Sequence, residues 1–148
     1  GAVILTLAEH NLNMAELVLK NFVSGEAQAY YEAGVLASMD YLSPGTNNAD
    51  TVALYLSQVL PNVGWDASPN KLEAIITQKW IATNGITAEQ SWFDYSRTGY
   101  PANLPVSARA STPDRPVRLA YPNSEVTGNS NNIPAQPNPF NVKIFWAN

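Results

Sequence analysis

The sequence predicts an all-α fold, mainly helical and built on tetratricopeptide-like helical hairpins, followed by a long irregular Pro-rich C-terminal segment. Three observations carry this expectation. Apolar residues recur at helical spacing over 1–99, and turn signals at Ser24-Gly25, Ser43-Pro44-Gly45, Pro61-Asn62 and Asn84-Gly85 punctuate them. Eight of the eleven prolines fall after Gly99. Proline lacks a backbone donor and fixes φ, so residues 100–148 cannot form regular helix or central sheet and read as an irregular wrap. That segment keeps Leu119, Tyr121, Ile133, Phe140, Ile144, Phe145 and Trp146. It is too apolar for a disordered tail and is expected to pack back onto the helices.

Thr6-Leu7-Ala8-Glu9 fits a capping box, in which the Thr6 hydroxyl accepts from the Glu9 amide and the Glu9 carboxylate from the Thr6 amide. A first helix is expected from Leu7 to Phe22, apolar on more than one stripe and therefore packed on several sides. A second opens at Glu26 or Ala27 and runs to Leu42. Met14-Ala15 followed by Ala27, Tyr31 and Gly34 partly matches the small and aromatic spacing of a tetratricopeptide hairpin. Small residues would sit where the helices cross, with Tyr31 filling the gap. A third helix is expected over 49–60, with Val52, Leu56, Val59 and Leu60 on one side. Ser68-Pro69 predicts an N-cap beside a first-turn proline, opening a fourth helix to Thr83 on the stripe Leu72, Ile75, Ile76, Lys79, Trp80. Thr87-Ala88-Glu89-Gln90 predicts a second capping box and a fifth helix to Thr98, stopped by Gly99. The one strand signal is Val142 to Trp146.

Composition excludes several functions. Charged residues make up 14% of the 148, well under the roughly 25% of an average soluble chain, so the surface is polar but poorly charged. A net charge of -4 argues against nucleic acid, whose phosphates need clustered Lys and Arg. The absence of cysteine rules out disulfides, thiolate metal ligands and thiol nucleophiles. Gly-rich phosphate loops are absent, so no cofactor is expected. No apolar run approaches the roughly 18 residues that a membrane span needs. The chain opens on Gly1 without an initiator Met and reads as a fragment of a longer protein.

Catalytic chemistry finds little support. His10 is the single histidine, and it reads as an ordinary helix residue rather than a catalytic base or metal ligand. Glu9 and Glu16 lie two turns apart on one helix and belong to the carboxylates from which a glycosidase pair would be drawn, but capping and solvation account for them better. No catalytic or metal-binding residue is assigned. The aromatics weigh more, because sugars lay apolar faces on rings while amides and carboxylates take their hydroxyls. Trp80, Trp92 and Trp146 read as core. Trp65 differs, since it lies in the Gly-containing loop Asn62-Val63-Gly64-Trp65-Asp66, where an exposed ring with polar neighbours would meet a ligand.

From Asn70 to Pro101 the chain reads NKLEAIITQKWIATNGITAEQSWFDYSRTGYP, which resembles the signature stretch of SusD/RagB-type outer-membrane nutrient-binding lipoproteins, in particular the SusD-like group. The helix from Lys71 to Trp80, the segment Trp92-Phe93-Asp94-Tyr95, and Arg97-Thr98-Gly99-Tyr100-Pro101 follow the family pattern in order. The flanks Met14-Ala15-Glu16, Ala27 to Gly34, Pro116 to Leu119 and Tyr121 to Glu125, and the closing Lys143-Ile144-Phe145-Trp146, are similar as well. Ser96 and Ser91 depart from it without disturbing the helix registers. The resemblance implies that residues 1–148 are the C-terminal part of a SusD-like domain. It also implies a non-catalytic, surface-exposed outer-membrane protein, lipid-anchored outside this chain, that passes glycan, or in some members oligopeptide, to a SusC-type TonB-dependent transporter. A pure protein–protein interaction module is the alternative that the helices alone would allow. Within the signature, structural roles are expected: Arg97 bonding carbonyls of the following loop, Gly99 at positive φ, and Tyr100-Pro101 fixing the turn.

Overall fold

The computed structural model describes residues 3–147, and among them the only regular elements are six α-helices. They are α1 (Leu7–Leu19), α2 (Ala27–Leu42), α3 (Ala49–Leu56), α4 (Lys71–Thr83), α5 (Ala88–Thr98) and a short α6 (Asn123–Gly128). The hairpin α1–α2 is the base of the fold. α4 packs on both of its helices, α3 leans on α2, and α5 packs on α4.

The Thr6 hydroxyl accepts from the Glu9 amide at 3.0 Å, as the capping pattern requires. The reciprocal bond is absent, and Glu9 Oε2 is buried without a hydrogen-bond partner. α1 stops three residues before the expected Phe22. Asn21 turns left-handed (φ 59°), its amide donates to the Val18 carbonyl, and the Phe22 amide reaches back to Leu17. This paired closure is a Schellman motif with Asn in the glycine position. It leaves Phe22 three-quarters exposed.

Small residues do mark the crossing. A Cβ on Gly34 would lie 2.6 Å from Leu12 Cγ, a distance no packed core tolerates. Leu12, Ala15, Tyr31 and Ile75 are fully buried, and with Val35 and Val52 they join four helices in one core. Fully burying a Leu or Ile contributes about 1.5–3 kcal/mol, so these few side chains hold the hairpin to α4.

Two expected boundaries move for one reason. α3 ends at Leu56 rather than Leu60, and α4 is capped by Asn70 rather than Ser68. Between them the chain folds into a tight loop. A Cβ on Gly64 would come within 2.3 Å of the Gln58 carbonyl, so the loop backbones approach as only glycine permits. Ser68, 1% exposed, donates to the Gly64 carbonyl at 2.7 Å and accepts from the Asn62 amide at 2.9 Å. Its hydroxyl closes the loop and is not available as a cap. The Asn70 side chain accepts from the Glu73 amide instead. Val59 and Leu60, expected on a buried helical face, are exposed.

The start of α5 also departs from expectation, since Thr87 precedes the helix but its buried hydroxyl makes no hydrogen bond. Its end agrees: Gly99 adopts φ 77° and donates to the Tyr95 carbonyl at 2.8 Å. Ser91, a departure from the family pattern, bonds the Thr83 hydroxyl at 2.7 Å and ties α5 to α4. After Gly99 the backbone is irregular apart from α6, which Pro122 precedes and which the proline density had not suggested. The expected strand at Val142 to Trp146 does not form: the backbone there is irregular, with a turn at Phe145-Trp146 in which the Ala147 amide donates to the Ile144 carbonyl. The tail meets α5 where the Arg115 guanidinium lies over the Tyr95 ring and where Trp146 approaches Phe93.

Candidate ligand-binding site

The loop closed by Ser68 presents Trp65 to a groove of about 450 Å³ between α2 and the end of α3. Gln28 and Glu32 of α2 form one wall, and Ser57, Gln58 and Val59 the other, with Gly64, Asp66 and Ala67 beside the ring. The ring is half-buried, not exposed as its sequence context suggested. It packs on the Tyr31 ring with centroids 5.2 Å apart and planes tilted by 50°. An indole held this way has lost its rotamer freedom before any ligand arrives, which lowers the entropic cost of binding.

Two anchors hold the loop from beneath. The Tyr31 hydroxyl donates to the Val63 carbonyl at 2.8 Å. Burial pushes its pKa up, and Tyr55 and Glu32 add to the shift, so it stays a neutral donor. Lys71, in the first turn of α4, donates to the Trp65 carbonyl and places its ammonium 5.1 Å from the Trp65 ring centroid. Gln78 supports the same loop by donating to the Asn62 carbonyl at 2.7 Å. Lys71 and Gln78 look like ordinary helix residues in sequence, and only the fold brings them under the loop. On the groove wall the Gln28 amide donates to Glu32 Oε1 at 2.8 Å, which orients the carboxylate.

The signature residues gather elsewhere. Arg97 does not bond the following loop's carbonyls. Its guanidinium donates to both oxygens of Glu16, at 2.5 and 2.8 Å, and to Asp94 Oδ1 at 2.9 Å. The reason is chemical: a carboxylate offers two charged acceptors in the geometry of the guanidinium fork, and such bonds exceed those to neutral carbonyls. Lys20 pairs with Glu16 at 2.6 Å and Lys79 with Asp94 at 2.7 Å, so five charges join α1, α4 and α5. Burial raises the Glu16 pKa, but the hydrogen bonds and charges of Arg97 and Lys20 outweigh it and hold the group below the ordinary carboxylate range. The Glu16 bonds in turn hold the Arg97 pKa above its usual value. The Tyr100 hydroxyl accepts from the Asn70 side chain at 2.7 Å, and the Tyr100–Pro101 peptide is cis. Trp65 and Arg97 are therefore not parts of one site.

The other aromatics do not fill the core as expected. Trp80 and Trp92 are half-buried beside an apolar cavity of about 260 Å³, and Trp146 is 39% exposed. His10 is exposed on α1. A cavity of about 420 Å³ between α5 and the tail is lined by Tyr95, Asp114, Arg115 and Lys143, without an amide side chain among its lining. The Trp65 groove brings a ring, amides and carboxylates to one ligand-sized space; a cavity of about 430 Å³ beside Asn13, Glu16 and Phe22 has a similar set, but there Lys20 and Arg97 already pair with the carboxylate. Among the described residues, no cluster of metal-ligating side chains occurs and no helix is long and apolar enough to cross a membrane.

Comparison with known proteins agrees with the helical architecture. A SusD-like family model, described as "Starch-binding associating with outer membrane", matches residues 1–122. The chain belongs to the SusD-like family. No curated protein matches it at a significant level. Among solved structures, it is similar to a SusD homolog from Bacteroides fragilis, with a TM-score of 0.72 and 29% identity over 98% of this chain and 35% of that one. A second SusD homolog from the same species gives 0.64 and 29% over 84% of this SusD-like chain and 29% of its own. A Bacteroides vulgatus protein, described as an inferred outer membrane protein with an inferred role in nutrient binding, gives 0.64 and 27%, covering 88% and 29%. This SusD-like chain thus spans about a third of the length of these relatives.

Proposed function

We propose that this SusD-like chain is part of a non-catalytic, surface-exposed nutrient-binding protein of the outer membrane. The protein is held there by a lipid anchor outside this chain, captures glycan, and hands it to a SusC-type TonB-dependent transporter. The family match over residues 1–122 carries this reading. The Trp65 groove supports it, because a pre-packed indole flanked by amides and carboxylates complements what a neutral sugar presents: apolar C–H faces and hydroxyls. Trp65 is the ligand-contacting residue in this reading. Arg97, Gly99, Tyr100 and Pro101 serve the fold and do not touch the ligand.

The test is a tryptophan-fluorescence titration of the chain and of its Trp65→Phe variant against matched panels of neutral oligosaccharides and short peptides. The variant is needed because four tryptophans contribute to the signal. Saturable quenching by an oligosaccharide, lost in the variant, is expected. Saturation by peptides alone would replace the glycan reading with an oligopeptide-binding one, and silence from both panels would favour a module that only grips a partner protein.

A further inference from the structure

We infer that the Trp65 groove discriminates among saccharides by charge: the carboxylates of Glu32 and Asp66 on its wall admit neutral sugars and repel sugars bearing carboxylate or sulfate groups. The inference rests on the proposed function of the groove and adds a specificity that the ring alone does not provide, since an indole face accepts neutral and acidic sugars alike.

The geometry assigns the two carboxylates different settings. Glu32 is partly buried and fixed in place by the Gln28 amide at 2.8 Å, while Asp66 is exposed directly after the Trp65 ring. Among the described residues, the groove lining contains no Lys or Arg. Lys71 does not line the wall; it donates to the Trp65 carbonyl and lies 5.1 Å from the ring centroid, so its charge offsets part of the repulsion. A ligand carboxylate in this groove would meet two like charges on the wall, opposed in part by the single Lys71 charge near the ring. At separations of about 5–7 Å, with the water screening expected of an open groove and Lys71 opposing one of the two repulsions, the net is a loss of roughly threefold in affinity at low ionic strength. Both groups exert the repulsion through space, so added salt should weaken it.

The experiment compares maltoheptaose with the same oligosaccharide oxidised at C6 to carry carboxylates, titrated into the full chain at low and high salt. The Trp65→Ala variant and the double variant Glu32→Gln/Asp66→Asn are measured alongside. Glutamine at 32 keeps the hydrogen bond to Gln28, and 66 is exposed, so the double variant is expected to fold normally. The expected result is Trp65-dependent binding of maltoheptaose and about threefold weaker binding of the oxidised sugar at low salt. That gap should close in the double variant and shrink at high salt. Equal or tighter binding of the oxidised sugar, still dependent on Trp65, would overturn the charge inference and leave the groove's function standing. If neither sugar binds, or both bind independently of Trp65, the reading of the groove fails and the inference with it.

Discussion

Replacing Arg97 by alanine separates a structural role for the signature arginine from a ligand-binding one. The variant removes three charge-assisted hydrogen bonds, two to Glu16 and one to Asp94. Truncating one partner of a fully buried, otherwise unpaired charge pair costs about 3–5 kcal/mol. Two features reduce that here: Glu16 keeps Lys20 and Asp94 keeps Lys79, and the Arg97 side chain is 36% exposed, so water screens part of the interaction. A net loss of about 2 kcal/mol follows. For a chain of this size that corresponds to a fall in Tm of about 4–8 °C, read by far-ultraviolet circular dichroism. The pH dependence has a definite sign. The Glu16 pKa is lowered on folding, so its contribution is complete above the unfolded value near 4.5 and is lost as pH falls through the lower folded value. The Tm difference between wild type and Arg97→Ala should therefore be full at pH 7 and shrink below about pH 4. Glu16→Gln combined with Arg97→Ala should cost clearly less than the sum of the single changes, because the two groups act as one. A Tm shift under about 1 °C, or strict additivity, would refute the reasoning. Lost oligosaccharide binding in an equally stable variant would move Arg97 into the site.

Three further perturbations probe the hairpin and the loop. Gly34→Ala gains helix propensity of up to about 1 kcal/mol but drives a methyl into Leu12; a net destabilisation of about 1–2 kcal/mol is expected from urea denaturation. Tyr31→Phe keeps the ring and removes the hydroxyl that holds Val63, with an expected loss of about 1 kcal/mol and weaker oligosaccharide binding as the Trp65 loop loosens. Trp65→Ala should lower stability by about 1–2 kcal/mol, because the ring is half-buried on Tyr31, and should abolish Trp65-dependent binding in calorimetric titration. An unchanged melting temperature for Trp65→Ala would mean that the ring is free of the core.

The legible parts of the fold were those written in local pattern. Helix identity over 1–99, the hairpin crossing at Gly34 and Tyr31, and the left-handed stop at Gly99 all follow from spacing and single-residue conformational preference. Boundaries were lost where a side chain had two possible uses. Ser68 reads as a cap until the fold offers it the Gly64 carbonyl and Asn62 amide, and Asn21 shortens α1 by taking the position that glycine usually signals. The partner of Arg97 lies 81 residues away on α1, and no local pattern points from one to the other. The candidate site was legible at Trp65 alone. Its backing by Tyr31, Lys71 and Gln78 and its wall at Gln28 and Glu32 depend on how α2 and α4 pack around the loop, and its opposite wall at Gln58 depends on the close approach at Gly64. The tail was least legible, because proline excludes regular structure without saying where an irregular backbone goes.

The most direct test of the account is a crystal structure of the chain soaked with maltoheptaose. A glucose ring stacked on the Trp65 indole, with its hydroxyls bonded to Gln28, Glu32 or Asp66, is the predicted result. Sugar bound in the cavity between α5 and the tail, with the Trp65 groove empty at full occupancy, would contradict it.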